Sequence, residues 1–141
     1  IARSLGIGAY AYYRRIVEDN KFNLISSILQ VAEATNAAPE QIERLKKAKK
    51  ETQFTKAIDI VSDVAAIPAV LLIDGHNPLL LLHDALSAGI HELSDIECLE
   101  RARHAEVILY EIAVRLHAAL SERKAVKQAL ADILKRKRGA D

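Results

Sequence analysis

Residues 94–120 decide the fold, and they read SDIECLERARHAEVILYEIAVRLHAAL. Ser94 is followed three residues later by Glu97, which is the capping-box pattern that begins an α-helix. Beyond it, apolar residues recur at every third or fourth position, so one side of the helix stays apolar over many turns. The apolar positions are Ile96, Leu99, Ala102, Ala105, Ile108, Leu109, Ile112, Ala113, Leu116 and Leu120. We therefore predict a long amphipathic helix from residue 95 to about residue 120.

The apolar residues of the segments on either side also have helical spacing, and Asn, Gly and Pro residues separate these segments. Ser121 is expected to cap a separate final helix that ends near Gly139. Gly6 and Gly8 are unfavourable inside a helix, so they indicate either close contact with a neighbouring helix, which we expect, or a later helix start. We also expect this face and residues 108–116 of the long helix to contribute to close helix packing, within one chain or across a two-fold dimer. The other predicted helices cover residues 3 to about 20, 22 to 35, 39 to 51, 55 to 66 and 79 to 87, and a turn covers residues 74–78.

Length and composition predict one all-α domain over residues 1–141. A chain of 141 residues fits a single core, and aromatic residues make up only 4% of it, so aliphatic side chains have to fill that core. The alternation typical of strands does not occur. The expected architecture is a single-domain bundle of about five to seven helices, with one long helix near the C-terminal third.

Charge and residue usage narrow the class of protein. The formal net charge of +1 gives no overall field for binding polyanions. Cys98 is the only cysteine, which favours a reducing compartment, and we expect a cytoplasmic protein. The longest apolar run, residues 67–73, is far shorter than the ~20 residues of a membrane span, so no membrane association is expected. Because the chain opens at Ile1, we expect it to be a segment that lacks upstream sequence.

Two clusters of basic residues have to be explained locally. One lies in residues 44–50 and is interpreted as a solvated helix face, with a phosphate-contacting strip as the alternative. The other is Lys135, Arg136, Lys137 and Arg138. Cations at the carbonyl end of a helix complement its dipole, so we expect a solvated helix terminus rather than a required nucleic-acid site.

No motif predicts a metal, a cofactor or a nucleophilic triad. His76, His83, His91 and Cys98 lack the spacing of a zinc cluster, so we predict local hydrogen bonds for His83 and His91 and core packing for Cys98. Ser87 and His91 lack the G-x-S-x-G elbow of a serine hydrolase. The glycines near the start do not form a dinucleotide fingerprint.

Two stretches carry a resemblance: GAYAYYRRIVED from residue 8 to 19, and HNPLLLLHDALSAGIHELSDIECL from residue 76 to 99. They resemble HEPN-like helical domains, especially the family of unknown function numbered 4145. In that family an early helix carries Arg followed a turn later by Glu, and a later turn carries a small residue, an apolar residue and His. Arg14 or Arg15 with Glu18, and Gly89-Ile90-His91, stand in those places.

The resemblance implies a ribonuclease only where an R-x(4 to 6)-H element is present. The residues four to seven places before His91 include no arginine. The leading hypothesis is therefore a noncatalytic interaction or regulatory module of a defence or nucleic-acid-processing protein, with a protein partner or a homodimer and with RNA as another ligand. The alternative is a metal-independent ribonuclease in which His91 works with an arginine supplied from elsewhere. The candidate site residues are His91, Arg14, Arg15 and Glu18, each of which also has a local structural explanation: an ion pair within the first helix, or a hydrogen bond at the start of the long one.

Overall fold

The computed structural model describes residues 5–63, 66–89 and 92–139, and over these residues the chain is all-α, as predicted. The described residues contain five α-helices, which agrees with the expected five to seven, and a short 3₁₀ helix at Ala69–Leu71. The α-helices are α1 Leu5–Ala34, α2 Pro39–Lys50, α3 Phe54–Ile60, α4 Pro78–Leu86 and α5 Asp95–Gly139. None of the described helices has a stretch long and apolar enough to cross a bilayer.

Helix α1 joins two segments that the sequence predicts as separate helices. The expected break near residue 20 is wrong because Asn20 fits inside the helix: its side-chain Nδ2 donates to the Ile16 carbonyl, one turn earlier, at 2.8 Å. The predicted stop at Asn36 is confirmed. Asn36 has a φ of 56°, and the next amide, from Ala37, donates back to the Ala32 carbonyl at 2.9 Å.

Helix α5 is one continuous helix of 45 residues. Its predicted start is confirmed, because the Ser94 hydroxyl accepts the Glu97 amide at 3.1 Å. The prediction of a new helix at Ser121 is wrong. No Pro or Gly interrupts residues 117–125, and the Ser121 hydroxyl lies 3.5 Å from Nε2 of His117, one turn earlier, within the same helix.

Helices α1 and α5 lie side by side and run in the same direction. At their N-terminal ends, Gly6 lies against the Asp95 backbone and the Leu99 side chain. At the other end, Ala34 lines the same cleft as Leu120 and Lys124. The close helix contact predicted at Gly6 is therefore confirmed. The same prediction for Gly8 is wrong, because a Cβ at Gly8 would meet no atom within 4 Å.

A buried asparagine joins the shorter elements. Asn77 is 2% exposed; its Oδ1 accepts the amides of Leu79 and Leu80 at the start of α4, and its Nδ2 donates to the Val61 carbonyl at 2.6 Å. The helix predicted to reach residue 66 ends earlier, at Ile60, and the carbonyl of the following residue, Val61, is the one that Asn77 binds. The predicted turn over residues 74–78 is confirmed, with positive φ at Asp74 and Gly75.

The core is aliphatic, as expected from the small number of aromatic residues. It contains the inner faces of α1, α4 and the part of α5 up to Leu120, together with Leu45 and Ala48 of α2 and most of α3. Ile112 of α5 is buried, and Leu116 packs partly exposed against the same core. The packing expected of residues 108–116 therefore occurs within one chain.

Candidate functional site

The predicted basic and acidic residues of α1 lie on its exposed side. Arg14, Arg15 and Glu18 are all exposed. The Arg14 guanidinium lies 5.9 Å from the centre of the Tyr10 ring, whereas Glu18 approaches Lys21 at 3.9 Å. The expected ion pair between Glu18 and either arginine is wrong: no such pair occurs in the described part of α1. Arg14 and Glu18 are therefore available to the space beside the helix.

His91 lies outside the described residues, as does Ile90. Of the Gly89-Ile90-His91 turn that carries the resemblance, only Gly89 is described. The expected pairing of His91 with an arginine therefore lies outside the described residues as well.

A different histidine shares a cleft with Arg14. The cleft has a volume of about 70 Å³ and lies between α1, α3 and the end of α4. Its polar residues are Arg14, Glu18, Thr55, His83 and Ser87, and its apolar residues are Val17, Phe54 and Leu86. The cleft thus combines a guanidinium, an imidazole, a carboxylate and two hydroxyls, which fits a small polar group better than an extended ligand.

His83 does not make the local hydrogen bond that the sequence predicts. Its Nδ1 is buried and has no hydrogen-bond partner among the described residues. The nearest charged atom is Oδ1 of Asp84 at 3.6 Å, beyond hydrogen-bond distance, and the ring lies tilted against Phe54 with 6.1 Å between ring centres. Sequence reasoning missed this residue as a cleft residue. The sequence feature that could have indicated it is the position of a histidine within the apolar run LLLLHDAL.

Cys98 and Tyr10 are structural residues. Both are fully buried, and the Tyr10 hydroxyl donates to the Ala88 carbonyl at 2.6 Å. Burial, together with the nearby carboxylates of Asp95 and Glu97, raises the pKa of the Cys98 thiol and so disfavours the reactive thiolate. The prediction that Cys98 packs in the core is confirmed. Among the described residues, no group of three or more His, Cys, Asp or Glu side chains could hold a metal ion.

Three of the five basic residues of α2 have local partners. Arg44 lies 3.6 Å from Asp63, Lys46 lies 3.9 Å from Glu43, and the Lys49 ammonium lies 5.0 Å from the centre of the Phe22 ring. Exposed ion pairs of this kind stabilise a fold only slightly. They favour the solvated-face interpretation of this cluster over the phosphate-contacting strip.

The last part of α5 extends beyond the bundle. Every residue from 121 to 139 is exposed, and we call this part of the helix the projecting segment. Helix α1, which packs along the earlier part of α5, ends at Ala34, beside Lys124. At 1.5 Å per residue, α5 continues for roughly 22 Å past that point.

The projecting segment exposes an apolar stripe. Val126, Leu130, Ile133 and Leu134 are 49%, 54%, 50% and 45% exposed, and their spacing of three and four residues places them on one side of the helix. We call these four residues the apolar stripe. Leu130 and Leu134 lie about five full turns after Ile112 and Leu116, so the stripe continues the side of α5 that packs into the core.

Cations surround this stripe. The projecting segment carries seven Lys and Arg residues and two acidic residues, Glu122 and Asp132. Arg123 precedes Val126 by three residues and Lys137 follows Leu134 by three, so both lie in line with the stripe, one at each end. The two form what we call the bracketing cations, about 21 Å apart along the helix.

Comparison with known proteins provides no relative. No protein-family model matches the chain, and neither the curated proteins nor the solved structures include a match.

Proposed function

We propose that this chain is a noncatalytic helical interaction module that binds a protein partner through the apolar stripe of its projecting segment. The observation that supports this proposal is that one side of α5 continues from the core into solvent. The side of α5 that packs into the core continues past Ala34 with four large aliphatic side chains about half exposed.

Two physical arguments favour a docking role. A helix the length of the projecting segment is marginal in water when nothing packs on it. A partner surface that covers the segment would stabilise its helical form and bury its apolar side chains. Exposed aliphatic residues scattered singly need no explanation, but four residues in one line with polar surroundings are typical of an interaction site. The regulatory or anchoring role in a defence or nucleic-acid-processing protein remains part of the proposal through the HEPN-like resemblance.

The proposal predicts that a partner depends on the apolar stripe. We expect proximity crosslinking, in the cells that express the chain, to recover a partner with the wild type. Leu130→Asp/Ile133→Asp is expected to lower the recovered amount by at least about nine-tenths, because burying a charge in the contact with the apolar stripe is costly. The matched control is Ala125→Asp/Gln128→Asp, which adds the same charge on the opposite side of the exposed helix. An identical set of crosslinked proteins for the wild type and both variants would contradict the proposal.

A metal-independent ribonuclease remains a second candidate, favoured by one observation: Arg14 and His83 line the same cleft. A ribonuclease of this kind needs a base and a phosphate clamp near one another. Glu18 in the same cleft opposes the binding of a phosphate, and the R-x(4 to 6)-H element is missing before His91. The interaction role is therefore the better supported one.

We expect the purified chain to leave single-stranded and hairpin RNA intact in the presence of EDTA. Arg14→Ala, His83→Ala and His91→Ala serve as controls for a contaminating nuclease, whose cleavage would be equal in all samples. Cleavage by the wild type that disappears in Arg14→Ala together with either histidine variant would establish the ribonuclease instead.

A further inference from the structure

We infer that the partner of the projecting segment is an amphipathic α-helix with an apolar seam that carries acidic residues near both of its ends. This inference rests on the proposed function and adds the chemistry of the partner. Three features support it: the width of the apolar stripe, its continuity with the core-facing side of α5 and the positions of the bracketing cations.

The geometry of the stripe fits a helix. Its four side chains cover about 100° of the helix circumference, and they continue the side of α5 that packs into the core closer to the bundle. Helices pack through such rows by inserting ridges into grooves. A helix that lies along the stripe would therefore bury its side chains as the core buries Ile112.

The bracketing cations determine the charge of that helix. Arg123 and Lys137 lie in line with the apolar side chains, so a helix that covers the stripe also reaches both cations. Leaving a cation against an apolar or basic surface is unfavourable, whereas a carboxylate opposite each one forms a charge-assisted hydrogen bond. Acidic residues about 14 positions apart on the partner helix match the separation of about 21 Å.

A second copy of the chain fits less well. Two projecting segments would bring seven basic residues each into one contact, with only Glu122 and Asp132 of each copy to oppose them. Like charges at such a contact are repulsive and suppress self-association. Charge complementarity therefore selects an acidic partner.

Nucleic acid and membranes also match less of the surface. Residues 121–139 contain no aromatic side chain that could stack on bases or anchor the helix at a lipid interface. Contacts with nucleic-acid phosphates would use the cations and leave the four aliphatic side chains without a function. An acidic amphipathic helix uses both.

The test is titration of the whole chain with a synthetic acidic peptide of 21 residues at 0.15 M salt, followed by fluorescence anisotropy. The peptide has Leu at alternating three- and four-residue spacing and Glu at positions 4 and 18, in line with the Leu seam. One control peptide has the same composition in scrambled order, and another has Lys in place of both Glu. We expect the acidic seam peptide to bind at least about tenfold more tightly than either control.

Paired variants of the chain separate the two contributions. Leu130→Ala/Ile133→Ala is expected to weaken binding of the acidic peptide at least about 30-fold, whereas Val107→Ala, at an exposed position on the bundle half of α5, leaves it within about twofold. Arg123→Gln/Lys137→Gln is expected to weaken it about tenfold or more. Lys124→Gln/Lys135→Gln removes equal charge beside the stripe and is expected to change it less than threefold, because salt screens charges beyond about 8 Å.

Several outcomes would overturn the inference. One is that the chain shows no preference for the acidic seam peptide, and another is that the two charge variants have equal effects. A third is that vesicles with 30% phosphatidylserine, or a 20-nucleotide RNA, bind more tightly than the peptide. The last is that the chain forms a dimer that the peptide does not dissociate. If the peptide fails while a crosslinked partner still depends on Leu130 and Ile133, the interaction role stands and only the acidic-helix chemistry is wrong. If both fail, the proposed function is wrong as well.

Discussion

Replacing Gly6 with alanine is expected to lower the free energy of unfolding by about 1 to 3 kcal/mol, the range typical of overpacking. A Cβ at this position would overlap the Asp95 carbonyl oxygen and touch Cβ of Leu99. Because the overlapped atom belongs to the backbone, a change of rotamer cannot relieve the contact, and α1 and α5 have to move apart. The adjacent hydrogen bond from the Ile7 amide to Oδ1 of Asp95, at 3.1 Å, would be disturbed as well.

Gly8 provides the matched control, because it lies in the same helix and a Cβ there would meet nothing within 4 Å. Alanine is favoured over glycine inside a helix by up to ~1 kcal/mol, so Gly8→Ala is expected to leave stability unchanged or to raise it. Urea unfolding followed by circular dichroism measures both variants. Equal and favourable effects of the two substitutions would show that α1 does not approach α5 closely at Gly6.

Local signals predicted the helix boundaries that depend on one or two residues. Ser94, Asn36 and Pro39 each act through a backbone hydrogen bond or a fixed φ, and each marks a boundary in the structure. The sequence was misleading where a residue that often caps a helix lies inside one instead. Asn20 binds a carbonyl one turn earlier and Ser121 lies beside His117 of the previous turn, and spacing alone does not distinguish these arrangements from caps.

The candidate sites depend on packing between distant segments, which explains why sequence reasoning reached them only in part. Arg14 was selected from the sequence, but His83 joins it only because α4 packs beside α1 and α3. The apolar stripe is visible as helical spacing in residues 126–134. Its exposure, however, depends on where α1 ends. Because the sequence predicted a separate final helix, it did not indicate that this side of α5 is continuous.

We expect the projecting segment to be uncovered in the free chain and to become covered when its partner binds. Amide hydrogen exchange measures this residue by residue along α5. Helical amides without tertiary contacts open at little cost in free energy, whereas those in a packed core exchange only through large openings. The two halves of one helix therefore provide an internal comparison.

We expect residues 126–134 in the free chain to exchange at least about a thousandfold faster than residues 102–112, and to slow by at least about tenfold when the acidic seam peptide is bound. Residues 102–112 should not change on binding, because α1 and α4 already cover that part of α5. Protection of residues 126–134 equal to that of residues 102–112 in the free chain, or exchange that the bound peptide leaves unchanged, would contradict the account.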